Sequence, residues 1–202
     1  MSQNTKIKAL AVFCGANSGN QSVYQKAAEQ LADSLSAAHI ALVYGGAKVG
    51  LMGSLANRML GHGSEVFGVI PQSLVDVEVA HEKLTKLHIV DSMHERKVLI
   101  SELADGFIML PGGTGSLDEF FEVLTLAQLG YHQKPCGILN IAGYYDFLLQ
   151  FLDNAVSQGF LKAVHRNMIV VSECPYALLA HFHTYQAPLD KKWIKPVLQE
   201  CV

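Results

Sequence analysis

The sequence predicts an α/β fold in which a doubly wound parallel β-sheet carries helices on both faces. Three observations lead there. Short apolar runs alternate with longer amphipathic segments along nearly the whole chain, as repeated βαβ units require. The runs at 7–13 and 106–110 are largely continuous in apolar residues, as in strands buried in a sheet. Glycine-rich turns follow the first, second and fifth runs. In such a sheet all loops after strands lie on one rim, the rim where ligands bind.

The elements follow in order. Residues 7–13 form the first strand, and the loop Cys14-Gly15-Ala16-Asn17-Ser18-Gly19 leads to a helix over about 22–38. Ala27, Ala28, Leu31 and Leu35 recur in that helix at helical spacing. Residues 40–44 make the second strand. Gly45-Gly46-Ala47-Lys48-Val49-Gly50-Leu51-Met52-Gly53 then turns and opens a helix to about residue 60. Residues 65–70 are the third strand, ended by Pro71, and a less regular connection covers 72–85. A short strand over 87–90 precedes a helix over 92–103. The run at 106–110 is the fifth strand, followed by a glycine turn and a helix over 120–128. Strands at 136–139 and 168–171 and helices at 144–158 and 175–183 complete the core. Residues 186–202 form a polar tail that Trp193 is expected to dock.

The 202 residues, half of them apolar, suffice for one sizeable domain, taken as 1–202 with its core at about 7–183. A net charge of -3, from 15 Lys and Arg against 18 acids, builds no basic face and argues against nucleic acid or an anionic membrane as partner. No apolar run approaches the roughly 20 residues of a membrane span. The start of the chain reads as a polar segment and then a strand, not as a secretory signal. Cys14, Cys136, Cys174 and Cys201 are widely spaced and form no CxxC pair. They read as reduced thiols of a cytoplasmic protein. His81, His88 and His94 have no metal-ligand spacing, and His181 and His183 point apart on a helix. No metal and no cofactor are expected.

The turn Pro111-Gly112-Gly113-Thr114-Gly115-Ser116 between strand and helix carries the chemistry. Glycine lets backbone amides approach a ligand closely, and the unpaired amides of a helix N-terminus suit a phosphate. Glu119 falls in the expected first turn of that helix. Ser116-Leu117-Asp118-Glu119 fits a capping box, with Ser116 as cap and Glu119 reaching back to its amide. The alternative is a catalytic carboxylate beside the anion. A second capping box, Ser92 with Glu95, starts the preceding helix, and Arg96 and Lys97 follow in its early turns against the dipole. They are either a solvated pair or an anion clamp, with Arg96 offering a planar fork.

Known nucleotide motifs do not fit. A dinucleotide fingerprint needs G-x-G-x-x-G after the first strand and an acid ending the second, but the second strand ends in Tyr44-Gly45-Gly46. Lys48 is followed by Val49, so no P-loop GK[ST] occurs, and G-x-S-x-G is missing.

Pro111-Gly112-Gly113-Thr114-Gly115-Ser116-Leu117-Asp118-Glu119 resembles the PGGxGTxxE signature of the Lonely guy (LOG) family. Met93-His94-Glu95-Arg96-Lys97 resembles its second signature, and Tyr44 through Gly53 its YGGGxxGLMG loop. Ala127-Gln128-Leu129-Gly130 and Gly143-Tyr144-Tyr145-Asp146 are similar too, so the likeness runs from about residue 8 to 183. Ser116 stands where the family usually has Thr, and Ala47 where it has a third Gly.

The resemblance implies a Rossmann-like phosphoribohydrolase that cleaves the N-glycosidic bond of a nucleoside 5′-monophosphate, AMP or an N6-modified AMP. The products are free base and ribose 5-phosphate. It places catalysis on Arg96 and Glu119. The substrate would meet Gly15, Ser18, Gly45, Gly46, Met52, Met93 and Lys97, with Gly112, Gly113, Thr114, Gly115 and Ser116 around the phosphate. It also implies a homodimer, for which Phe120, Phe121 and Leu124 offer a surface. The rival class is a non-catalytic nucleotide or phosphorylated-cofactor carrier, which would not need the acid.

Overall fold

The structure is a computed structural model that describes residues 7–75 and 80–188. Trp193, Cys201 and the rest of the tail from 189 lie outside the described residues. Among those described, seven strands form one sheet: β1 (Ala9–Phe13), β2 (Ala41–Tyr44), β3 (Val66–Pro71), β4 (Lys86–Val90), β5 (Phe107–Met109), β6 (Cys136–Leu139) and β7 (Ile169–Ser172). The order is β4-β3-β2-β1-β5-β6-β7, and every pairing is parallel. The order reverses between β1 and β5. That switch point opens a crevice beyond the carboxyl ends of both strands.

The helices between strands are α1 (Ser22–Ala37), α2 (Gly50–Gly61), α3 (Gln72–Val75), α4 (Met93–Leu103), α5 (Thr114–Gln128), α6 (Asp146–Ser157), α7 (Ala163–Arg166) and α8 (Pro175–Thr184). Alternation along the strands divides the core in two. Leu10, Val12, Leu42 and Tyr44 pack with Leu31, Leu55 and Phe182 of α1, α2 and α8. Ala11, Phe13, Val43 and Phe107 pack with Ile100, Phe120 and Leu152 of α4, α5 and α6. Successive strand residues face opposite layers, so the central strands β1, β2, β5 and β6 carry no charged side chain, whereas the edge strand β4 carries Lys86 and His88.

Several boundaries differ from expectation. Pro71 does not stop β3: it pairs in register with Val90 as the last strand residue. The connection after it holds the four-residue α3, and Ala80 forms a bridge back to Ala47. A 3-10 turn (Ile141–Gly143) separates β6 from α6, which therefore begins at Asp146 and not at Tyr144. Phe120 and Leu124 are buried in the chain's own core and cannot serve as a partner surface; Phe121 is half-buried. Cys14, Cys136 and Cys174 are free thiols. Burial pushes the Cys136 thiol up to about 12.

Candidate active site

The glycine loops after β1, β2 and β5 meet at the crevice and enclose a cleft of about 480 Å³, within the usual range of small-molecule sites. Gly15 and Ser18 line it from the β1 loop, and Gly45, Met52 and Met93 from the β2 and β4 side. Gly112, Gly113, Thr114, Gly115 and Ser116 line it from the β5 loop, and Arg96 and Glu119 close the set. Two expected contacts lie elsewhere. Gly46 does not line the cleft; its left-handed backbone (φ 83°) turns its carbonyl to the His81 amide at 2.9 Å. Lys97 is turned toward α5, where Nζ meets Glu122 Oε2 at 2.8 Å and Asp118 Oδ2 at 3.3 Å. The Glu122 bond first, with Asp118 in support, raises the Lys97 pKa.

The first turn of α5 corrects the capping reading. The N-cap is Gly113, in extended conformation, and the Leu117 amide already donates to its carbonyl at 3.2 Å. The helix thus begins at Thr114, three residues earlier than a Ser116 cap demands. Ser116 is buried within the first turn, and Glu119 stands in the second turn, beyond reach of a capping role. Thr114, Gly115 and Ser116 amides have no carbonyl four residues back in the helix, and all three residues face the cleft.

The start of α4 follows the pattern more closely. Ser92 Oγ accepts from the Glu95 amide at 3.1 Å, and Glu95 Oε2 accepts from the Asp91 amide at 3.0 Å. This box sets the helix so that Arg96 points inward. Its side chain is 7% exposed, so it is no solvated cation. Arg96 Nε donates to Val69 O at 3.1 Å and Nη2 to Gly45 O at 3.2 Å, two carbonyls at the ends of β3 and β2. Nη2 lies 3.8 Å from Glu119 Oε1, whose side chain is 12% exposed. A buried charge pair of this kind is held by its surroundings, because desolvating both groups offsets most of their attraction. Gly45 is glycine for this reason: a Cβ there would fall on the guanidinium.

Other groups in the cleft lay outside the motif reading. Cys14, just after β1, lines it; burial first, then the Glu119 charge, pushes its thiol pKa up and keeps it neutral. Tyr24, Leu74 and Tyr144 also line it. Tyr144 sits in the Gly143-Tyr144-Tyr145-Asp146 match, so a signal existed; α3, which carries Leu74, is too short to leave a periodic one. No lysine lines the cleft among the described residues, so no amine stands ready for Schiff-base chemistry. Among them, too, no three His, Cys, Asp or Glu side chains converge to hold a metal. Glu82 is exposed and pairs loosely with Lys48 at 3.9 Å. His181 and His183 are exposed.

Residues 52–182 match the family described as possible lysine decarboxylase. A cytokinin riboside 5′-monophosphate phosphoribohydrolase of Rhodococcoides fascians is 48% identical over 165 residues, 81% of this chain and 83% of that one. One of Arabidopsis thaliana is 42% identical over 196 residues, 97% of this chain and 90% of that one. Among solved structures, a molybdenum cofactor binding protein of Rippkaea orientalis superposes with a TM-score of 0.67 at 17% identity, over 89% of this chain and 98% of that one. A molybdenum cofactor carrier protein of Chlamydomonas reinhardtii gives 0.64 at 15% identity, over 87% and 96%. Identities this low carry the shared fold alone.

Proposed function

Because the chain belongs to the LOG family, whose model bears the description possible lysine decarboxylase, we propose that it is a phosphoribohydrolase of nucleoside 5′-monophosphates. The substrate is AMP or an N6-modified AMP such as isopentenyl-AMP. Water adds its hydroxyl to C1′, the C1′–N9 bond breaks, and the departing base takes the remaining proton. The observation that carries this reading is the buried Arg96–Glu119 pair, placed beside the open amides of α5. A carrier needs no such acid.

In this mechanism the amides at the start of α5 hold the 5′-phosphate, aided by the helix dipole. Gly112 through Ser116 form that cradle. The Glu119 carboxylate faces the ribose, stabilises the positive charge that grows at C1′ as the base leaves, and orients the water. Arg96 fixes the carboxylate and holds the substrate's negative side. Gly15, Ser18, Gly45, Met52 and Met93 shape the remaining walls. Schiff-base decarboxylation of lysine is disfavoured, since no lysine lines the cleft among the described residues.

The chain works as one catalytic domain. No helix among the described residues is long and apolar enough to cross a membrane, and we place the enzyme in the cytoplasm. A homodimer is supported by Ile89, Met93 and Val98, apolar side chains left 42–53% exposed along β4 and α4 beside the cleft. Light scattering on the purified protein tests it.

The deciding experiment incubates chelator-treated protein with AMP and with isopentenyl-AMP, and follows base and ribose 5-phosphate by chromatography. Wild type releases base. Glu119→Ala and Glu119→Gln lose roughly 100-fold or more in kcat, as removal of a group that acts on the reacting centre does, while still binding AMP. Full turnover by Glu119→Gln would remove Glu119 from the chemistry. Binding without release by wild type would make the protein a carrier.

A further inference from the structure

We propose that Tyr144 and Tyr145 are positioning residues that set the peptide planes of the phosphate loop. The inference rests on the reading of that loop as the 5′-phosphate cradle. Three successive carbonyls lead into α5, and each accepts a hydrogen bond from outside the loop. Tyr145 Oη donates to Leu110 O at 2.8 Å, the Gly15 amide to Pro111 O at 3.0 Å, and Tyr144 Oη to Gly112 O at 2.8 Å.

A peptide unit is planar and trans, so a fixed carbonyl fixes the amide that follows it, on the opposite side. The bond to Pro111 O orients the Gly112 amide, and the bond from Tyr144 to Gly112 O orients the Gly113 amide; the bond from Tyr145 to Leu110 O orients no donor, since Pro111 has no N–H, and fixes instead the peptide plane by which the chain enters the loop. Packing holds Gly112, where a Cβ would fall on Ser116 and stand 3.0 Å from the Gly15 amide nitrogen, but not Gly113, where a Cβ would meet no atom within 4 Å. Without a brace the peptide between them would keep a freedom that binding must remove.

The braces are themselves built rigidly. Ala142 (φ 52°) and Gly143 (φ 70°) are successive left-handed residues, a conformation unfavourable to a residue with a Cβ. Asn140 Oδ1 accepts from the Tyr145 amide at 2.7 Å, and Asn140 Nδ2 donates to Asp146 Oδ1 at 2.7 Å, which holds the turn. The Tyr144 ring stands edge-on to Tyr145 (centroids 4.8 Å apart) and to Tyr24 (5.6 Å). Tyr145 is buried, and burial raises its phenol pKa, so the hydroxyl stays protonated. Strain of this sort persists where the surroundings over-determine a geometry that serves a site.

The test uses Tyr144→Phe, Tyr145→Phe and the double variant, which keep the rings and remove only the hydroxyls. Titration calorimetry measures ribose 5-phosphate, ribose and adenosine on each, with thermal unfolding as a check on the fold. The double variant is expected to bind ribose 5-phosphate at least tenfold more weakly and adenosine unchanged. Ribose 5-phosphate affinity within twofold of wild type overturns the brace. Equal weakening toward adenosine also overturns it, because the hydroxyls would then support the whole cleft. Should Tyr145→Phe fail to fold, the half-exposed Tyr144→Phe alone decides, with fivefold as its threshold. If wild type binds ribose 5-phosphate no better than ribose, the phosphate reading itself falls, whatever the variants do.

Discussion

Replacing Gly45 with alanine separates the placement of Arg96 from the stability of the fold. Gly45 has an ordinary backbone conformation, so alanine is tolerated there by the chain itself. Its Cβ would, however, overlap Arg96 Nη2 and stand 3.0 Å from Met52 Sδ. The guanidinium is the far end of a long side chain and yields. The bond from Nη2 to Gly45 O is lost, and with it the 3.8 Å approach to Glu119. The bond from Nε to Val69 O lies nearer the backbone and survives. A hydrogen bond to a charged group contributes about 1.5–3 kcal/mol. If the transition state feels that loss, kcat/KM falls roughly 10- to 150-fold, at about 1.4 kcal/mol per decade. Unfolding should shift only by the loss of that one bond, a fall of several degrees in Tm, since no buried backbone is displaced. The assay pairs base-release kinetics with a thermal melt. A kcat/KM within twofold of wild type would refute the argument. So would a loss matched by a melting point lowered more than about 10 °C, because overpacking and not Arg96 would then explain it.

Two further outcomes concern the protein beneath the cleft. The Tyr44 hydroxyl is buried without a hydrogen-bond partner among the described residues, and Tyr44→Phe removes that desolvated group. It should stabilise the fold by about 1 kcal/mol, a rise of about 3 °C in Tm for a chain of this size; a lower Tm would show that the hydroxyl is satisfied in solution. His132 is held neutral: Nε2 faces Val123 O at 2.9 Å and Nδ1 accepts the Lys134 amide at 3.2 Å. Burial first, and then Lys134 nearby, lowers its pKa, against which the Val123 carbonyl pulls upward. The unfolded chain therefore binds the proton first as pH falls. Stability is full above about 6.5 and declines below it toward the folded pKa, by at most about 1.4 kcal/mol per pH unit for this one group. Urea melts at pH 7.5 and 5.5 should show the decline shrink in His132→Gln; an equal decline in both proteins would clear His132 of it.

All seven strands were legible in the sequence to within about two residues; burial on both faces leaves no charged side chain to blur the central runs, and the edge strand β4 was read despite Lys86 and His88. The elements that escaped, α3 and α7, have four residues each, less than two helical turns, and show no period. The cleft was legible through its glycines. Its electrostatics were not. Whether Arg96 is solvated or buried depends on Gly45, 51 positions away, and on Val69, 27 away. Lys97, its immediate neighbour and a cation of the same kind by composition, ends up on a different partner set. Local pattern also favoured Ser116 as a cap, whereas an extended Gly113 starts the helix three residues earlier. Glycine can occupy either role, and only the surrounding loops decide which.

The strand order has a consequence for how the protein is made. β1 lies in the middle of the sheet, yet its second neighbour, β5, comes almost a hundred residues later. The ligand-facing loops are stitched from residue 14 to residue 144, so a nascent chain holds half a cleft for most of its synthesis. Such long-range pairing is slow to form, since the intervening loop must close before any contact rewards it. A ligand that needs both halves grips only the finished sheet. It therefore stabilises the native state by mass action without favouring partly folded forms, and nucleotide in the surroundings would act as a late checkpoint on folding as well as a substrate.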